Sequence, residues 1–231
     1  MAQATSRYPL DISTSLSTYM IITRAKNKGF STTELRNISD KQFKSRTISA
    51  FALPVPDGIV DNSNISYTNI EDSSVLAQAG QAIANKIAGA SVQQEAKIKT
   101  AQTKAIQSMM LFDSVSLKSF AMNWKLVPES KEEMDNIETI IKEIELGKLP
   151  DYASNEIMNF PDVFTIGFGG VKPKLLVFLP CVITSVSVTY GDGEFQMYND
   201  GGFPSITLSV GFAEIAGRTR QIQQALYDSF K

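Results

Sequence analysis

The sequence predicts a mainly β protein with flanking helices. From residue 161 onward, apolar runs alternate with a period of two, and glycine-rich turns join them without intervening helices, which is typical of an antiparallel sheet. A capped amphipathic helix at residues 130–147 precedes this region, and an alanine-rich stretch at residues 71–111 has helical spacing. We therefore expect an extended N-terminal segment 1–70, a helical insertion, and a β core at residues 112–231.

The N-terminal segment predicts strands that contribute to the sheet and to contacts with partners. Its apolar residues cluster at Tyr19–Ile22 and Ile48–Leu53, and the second cluster runs into Pro54-Val55-Pro56-Asp57-Gly58. Two prolines that flank one valine do not fit a central strand, and Asp-Gly is a turn signal. We expect a strand that leads into an exposed corner.

Residues 72–110 predict two helices with a shallow apolar face. Helical spacing relates Val75, Leu76, Ala79, Ile83 and Ile87, and a second periodic stretch reaches Met109. Alanines and glycines make up much of the segment, so its apolar face lacks bulk. We expect it either to pack closely against a neighbouring chain or to form a partly ordered insertion.

Residues 112–127 predict one long strand with a bulge. Its second half places four apolar residues on one side, namely Phe120, Met122, Trp124 and Leu126. Val115 and Leu117 fall on the opposite phase, which a bulge near Lys118-Ser119 would reconcile. Trp124 lies on the apolar phase, so we expect it in the core rather than on a binding platform.

The helix at 130–147 has the clearest signals in the chain. Ser130 with Glu133 three residues later forms a capping box, and Gly147 with Pro150 supplies the stop. Its predicted core stripe consists of Met134, Ile137, Ile140, Ile141 and Ile144. Carboxylates crowd the first turns, at Glu129, Glu132, Glu133 and Asp135. Capping and the helix dipole account for them without catalysis.

The remaining strands are expected at residues 161–168, 175–179, 182–190 and 206–212, with Phe195–Tyr198 between two glycine turns and a short helix at 220–230 capped by Thr219. Gly167-Phe168-Gly169-Gly170 follows a strand. A phosphate-binding loop would open a helix, whereas Pro173 and another apolar run come next. We therefore expect a hairpin turn there.

The amino-acid composition excludes most kinds of catalytic site. The chain has no histidine and one cysteine, Cys181, which excludes histidine-based triads and internal disulfides. Cys181 lies in an apolar run, so we expect a buried thiol. We predict no enzyme activity and no catalytic, cofactor-binding or metal-binding residues. No bilayer-spanning run or secretory signal is present, so assembly in a cytoplasm is expected.

The charges are unevenly distributed, although the formal net charge is only −2. Residues 1–50 carry eight basic residues against three acidic ones, and residues 128–170 carry ten acidic residues against three lysines. The simplest explanation of this uneven distribution is that the two regions form solvent-exposed faces of opposite charge. The alternative is that these regions contact each other between neighbouring chains.

Several segments, in their order along the chain, resemble the tail-tube initiator and tube–baseplate junction proteins of contractile-tailed bacteriophages. They are Leu53-Pro54-Val55-Pro56 with Asp61 and Tyr67, Trp124-Lys125-Leu126-Val127-Pro128 before the capped helix, Phe160-Pro161-Asp162-Val163-Phe164, and Pro180-Cys181-Val182-Ile183-Thr184-Ser185-Val186. The resemblance covers residues 112–220 and is looser before them.

This resemblance implies two antiparallel sheets packed as a partial barrel, with six subunits in a ring around a lumen. It implies a structural protein of the virion baseplate that is assembled in the host cytoplasm, sits on the hub and initiates the tail tube. Its expected partners are further copies, the hub, and a tail-tube or second initiator protein, with the tape-measure protein and the baseplate wedge as additional candidates. DNA would pass only as cargo through the lumen, and no membrane is involved.

Two other functions fit the sequence. A tail-tube or injection-system tube subunit would repeat along an axis, so its two ring faces would complement each other. A carbohydrate-binding β-sandwich module would need exposed aromatic residues on one sheet face, and the accessibility of Trp124 distinguishes that possibility.

Overall fold

The computed structural model describes residues 6–27, 46–71, 108–154, 157–173, 176–191, 193 and 195–228. These residues form a mainly β fold, as the sequence predicts, with one eight-stranded sheet and two two-stranded sheets. The chain divides into a larger unit, residues 1–63 with 117–231, and a smaller unit, residues 64–116.

The strands are β1 (Ser6–Arg7), β2 (Thr18–Ala25), β3 (Thr47–Pro54), β4 (Ile59–Asn62), β5 (Ile65–Glu71), β6 (Ser108–Val115), β7 (Ser119–Leu126), β8 (Asp151–Tyr152), β9 (Met158–Asn159), β10 (Val163–Gly170), β11 (Cys181–Tyr190) and β12 (Ile206–Glu214). The described helices are α1 (Ile12–Ser15), α2 (Lys131–Gly147) and α3 (Arg220–Asp228). The antiparallel hairpin β5–β6 makes up the described part of the smaller unit.

The large sheet has the order β1-β3-β2-β10-β11-β12-β7-β4 and is antiparallel except for the β1–β3 pair. Its two ends curl toward each other. Trp124 Nε1 in β7 donates to the Pro54 carbonyl at the end of β3 at 2.8 Å. Beside β1, the Tyr8 hydroxyl donates to the Val127 carbonyl and accepts from the Val127 N–H. A single curled sheet thus takes the place of the two packed sheets that were expected.

Helix α2 packs on the core side of this sheet, and its predicted apolar stripe is confirmed. All five predicted residues are buried and join strand residues in the main core. The end of the helix lies close to β10. A Cβ atom added to Gly147 would be only 2.4 Å from Cζ of Phe164. Glycine is therefore required there by close packing as well as by the helix stop.

The predicted N-cap of α2 is also confirmed. The Ser130 hydroxyl accepts a hydrogen bond from the Glu133 N–H at 3.2 Å. The Glu133 carboxylate accepts from the N–H groups of Glu129 and Leu10, at 3.0 and 3.1 Å. The capping glutamate therefore also holds the N-terminal segment against the helix.

We expect Ser130→Ala to lower the free energy of unfolding by about 1 kcal/mol, because one first-turn N–H loses its acceptor. Urea unfolding followed by circular dichroism measures this. Ser187→Ala, on an exposed strand position, is the control and should change stability by less than about 0.5 kcal/mol. Equal losses for the two variants would contradict the cap.

Other local predictions are confirmed. Burial alternates along β7, and the even-numbered residues from Ile206 to Phe212 are buried in β12. The corner at residues 55–58 follows β3. The Thr219 hydroxyl accepts from Ile222 N–H at 3.4 Å at the start of α3. The helices expected at 72–107 lie outside the described residues, and residues 108–110 belong to β6 rather than to a helix.

The single bulged strand predicted at 112–127 is wrong. Residues up to Val115 belong to β6 and pair with β5, whereas β7 begins at Ser119 and pairs with β12 and β4. The change of phase therefore marks a change of partner strand. Hydrophobic periodicity cannot distinguish this from a bulge, because both shift the apolar residues by one position.

The hairpin turn predicted at Gly167–Gly170 is also wrong. These residues extend β10 and pair with β2, from Gly167 opposite Ile21 to Gly170 opposite Thr18. The Tyr19 ring occupies the space beside Gly169, where a Cβ atom would approach Cζ to 2.2 Å. Gly170 has φ +69°, which favours glycine at the strand end.

Strands are absent from the described parts of 175–179 and 195–198. In β11 the register shifts between Ile183 and Ser185. Ile183, Val186 and Val188 consequently pack on the core, whereas simple alternation placed Ile183 on the other face. The extra residue at the bulge causes the change of phase.

Candidate functional site

The outward face of β11, β12 and β7 presents small, mostly polar side chains in register. Its rows across the three strands are Thr189–Thr207–Lys125, Ser187–Ser209–Asn123, Ser185–Gly211–Ala121 and Val182–Ala213–Ser119. On β4, Val60 lies beside Ala121 and is 64% exposed. These rows contain no carboxylate and no aromatic ring, and their only charge is Lys125. We call them the polar sheet face.

A first exposed apolar surface is formed by the hairpin β8–β9 and its flanks. Tyr152 pairs with Met158 across the hairpin, and the Asp162 N–H donates to the Gly147 carbonyl at its base at 3.0 Å. Tyr152 and Phe160 are 71% and 73% exposed. Exposed aromatic and methionine side chains are typical of the centres of protein interfaces.

The connection between β11 and β12 forms a second such surface. The Tyr190 and Phe203 rings lie 4.6 Å apart, and Phe195 contacts Phe203 edge-on at 5.7 Å. Phe195 is 74% exposed, and Met197 and Tyr198 are also largely exposed. The sequence contains Phe195, Met197 and Tyr198, but it does not show that their side chains are exposed. The structure shows this exposure, and it places these residues in a connection without a strand at 195–198.

The hairpin β5–β6 of the smaller unit carries a third exposed apolar surface. Tyr67 is opposite Phe112, with ring centroids 6.1 Å apart, and Ile65 is opposite Val115. All four side chains are exposed. A two-stranded hairpin is only marginally stable by itself, so a covering partner would stabilise it.

Part of the charge asymmetry is satisfied within the chain. Arg24 Nε donates to Asp162 at 2.6 Å, and Arg24 Nη1 donates to Glu143 at 2.9 Å. Ser49 also donates to Glu143. Burial alone would lower the pKa of Arg24, but its hydrogen bonds to the two carboxylates outweigh burial and raise that pKa. These three charged residues are therefore used in the fold.

A second ion pair is buried more deeply. The side chain of Glu214 is fully buried, accepts from the Leu179 N–H at 3.1 Å, and accepts from two guanidinium nitrogens of Arg218. Arg218 also donates to the Val177 carbonyl and the Gln223 amide oxygen. The pair joins the end of the sheet, the chain before β11 and helix α3. Glu214 and Arg218 are only four residues apart, but the sequence did not indicate the pair, because its burial and its contacts with Leu179 and Val177 are set by tertiary structure.

The carboxylates and the tryptophan that were considered for chemistry have structural roles or lie at the surface. The carboxylates at the start of α2 serve its cap or lie exposed, and the described residues contain no group of three or more possible metal ligands. Trp124 is 3% exposed, which confirms its place in the core. No described helix is long and apolar enough to cross a bilayer.

Cys181 is buried, and its thiol donates to the Phe164 carbonyl at 3.3 Å. Burial, with a smaller contribution from Glu214, raises its pKa well above the ordinary value. We therefore expect a thiol-specific reagent at pH 8 to leave the folded protein unmodified and to label it fully in urea. Rapid labelling of the folded chain would contradict this assignment.

Two comparisons give no relative for this chain: no family model matches its sequence, and no curated protein matches it.

Proposed function

We propose that this chain is a structural virion protein of a contractile-phage baseplate, which forms a ring on the hub and initiates the tail tube. The observation that carries the proposal is the combination of the polar sheet face with three exposed apolar surfaces. A protein that acts alone has no use for so many uncovered aromatic residues. A subunit with several neighbours does.

The polar sheet face suits the lining of a channel through which DNA passes. Its rows lack carboxylates, so they would not repel a polyanion strongly. They also lack the aromatic rings and the basic cluster that hold single-stranded nucleic acid. A tube-like fold, in which such faces from six copies enclose a lumen, is the arrangement that we propose.

The three apolar surfaces suit contacts with neighbouring copies, with the hub and with the tube protein above. Rings arise when different patches of identical chains contact each other and the rotation closes. An initiator needs further surfaces for different proteins above and below it. Tape-measure and wedge proteins are additional candidate partners.

The runner-up is a tail-tube or injection-system tube subunit, which would use the same face and the same surfaces. The copy number per particle distinguishes the two. A carbohydrate-binding module is weakened because Trp124 is buried and the polar sheet face has no aromatic ring. The exposed rings lie instead on or beside the hairpins, on the connection between β11 and β12, at the end of β11 and on α3.

The test is to mix the protein with purified hub and to count subunits by native mass spectrometry. We expect a largely monomeric protein in dilute solution and a closed ring on the hub, with six copies. High salt should weaken the ring, because opposite charges between chains are screened. A one-to-one complex that never closes, at any salt concentration, would contradict the proposal.

A paired variant sharpens this experiment. Tyr152→Ala with Phe160→Ala should leave the fold intact and weaken ring formation about 30-fold or more, as expected when interface anchors are truncated. Val171→Ala, at a residue that is 68% exposed and does not belong to the three apolar surfaces, is the control and should assemble normally.

A further inference from the structure

A shallow pocket lies where the N-terminal end of α2 meets the connection between β11 and β12. It has a volume of about 190 Å³, and Met134, Tyr198 and Phe203 contribute its apolar surface. Glu129 and Asp200 also line it, together with one lysine, Lys131. The pocket thus combines an apolar, partly aromatic wall with a mainly acidic rim.

The acidic character extends beyond the pocket along the first turns of the helix. Glu132 and Asp135 are exposed there, and neither belongs to the ion pairs that Arg24 forms with Glu143 and Asp162. A segment that fits this pocket would carry lysine or arginine side chains together with some apolar residues, because cations are attracted to both carboxylates and aromatic faces.

The same chain contains such a segment between β2 and β3. These strands are antiparallel neighbours, and Lys26 N–H donates to the Arg46 carbonyl at the base of the connection. Hairpins commonly need only about two to five residues, and this connection is far longer. Its basic residues are Lys26, Lys28, Arg36, Lys41, Lys44 and Arg46, against Glu34 and Asp40. Phe30, Leu35, Ile38 and Phe43 add apolar character.

The pocket and the base of this connection lie at opposite ends of α2. At the base, Arg24 contacts Glu143 and lies against Gly147, in the last turns of the helix. The pocket is at Ser130 and Lys131, before and at the first turn. A helix of 17 residues separates them, which is about 25 Å along its axis. Two complementary features at opposite ends of one helix allow a head-to-tail contact between copies.

We propose that the connection 26–46 of one copy docks into the acidic aromatic pocket of the next copy around the ring. This inference rests on the proposed function, because it identifies one of the contacts that would close the ring. Residues 28–45 of the connection lie outside the described residues.

Disulfide trapping between two full-length preparations tests the contact. One preparation carries Tyr198→Cys and the other carries Lys41→Cys, with a mass tag on one of them so that mixed dimers can be recognised. The native Cys181 is buried. Under mild oxidation we expect at least about tenfold more mixed dimer than with Glu138→Cys in place of Tyr198→Cys, because docking raises the effective concentration of the two thiols.

Charge variants provide the second measurement. Glu129→Lys with Asp200→Asn should lower the trapped yield about tenfold while the circular dichroism spectrum stays unchanged. The asparagine keeps an oxygen for the Gly202 N–H, which donates to Asp200. Added salt should lower the yield in the unaltered pocket.

Equal trapping at Tyr198→Cys and Glu138→Cys would overturn the inference. So would a chain with both Tyr198→Cys and Lys41→Cys that closes within itself and forms no dimer. Rings that form on the hub without this trapping would remove the inference and leave the proposed function standing. If head-to-tail dimers are trapped but the protein never forms rings on the hub, the docking contact stands and the proposed function is contradicted.

Discussion

Replacing Ile140 by aspartate is expected to destabilise the protein by about 4–5 kcal/mol, close to the whole stability of many domains. Ile140 is fully buried in α2 and belongs to the main core with residues of the large sheet. A carboxylate there would lie among apolar side chains, where an unpaired charge loses its hydration. The measurement is the free energy of unfolding in urea, or the yield of soluble folded protein if the variant does not fold.

Two control variants separate burial from charge. Ile140→Val removes one methyl group and should cost only about 1 kcal/mol. Thr139→Asp introduces the same carboxylate at the exposed neighbouring position and should change stability by about 0.5 kcal/mol, mainly through repulsion along the helix. Comparable small effects for all three would mean that α2 does not pack as described.

Replacing Arg218 by alanine is expected to cost about 3–5 kcal/mol, because it leaves the buried Glu214 carboxylate without its cation. Glu214 would keep one hydrogen bond, from the Leu179 N–H. The loss should also loosen α3, since Arg218 donates to the Gln223 amide oxygen. Urea unfolding gives the cost, and amide hydrogen exchange in α3 and at residues 176–179 locates it.

The matched comparison is the double variant Glu214→Leu with Arg218→Met. Replacement of a buried ion pair by apolar residues of similar size is often nearly neutral, so this variant should recover most of the stability that Arg218→Ala loses. Lys142→Ala breaks the exposed pair with Glu138 and should change stability by less than about 1 kcal/mol. A loss for Arg218→Ala no larger than that for Lys142→Ala would show that the buried pair contributes little.

The function that we propose depends on the polar sheet face and on the exposed apolar surfaces. Those surfaces could be predicted only in part. The Ser/Thr positions of β11 and β12 and the aromatic residues are visible in the sequence. Which of them share a face, and which aromatic residues remain uncovered, depends on the partners of each strand.

The sequence alone determined the mainly β class, the cap and stripe of α2, the phases of β7 and β12, the buried Cys181 and the core position of Trp124. Each of these follows from residues close together in the chain, because helix capping and alternation of burial are local effects. Tertiary structure decided that β6 and β7 belong to different sheets, that Gly167–Gly170 continues a strand, and that the large sheet curls until Trp124 bonds to Pro54. It also buried the Glu214–Arg218 ion pair and placed the Leu179 N–H against it. Such contacts join segments through space, and residue order carries little information about them, because many pairings satisfy the same local hydrophobic pattern and only the packing of the whole core selects one.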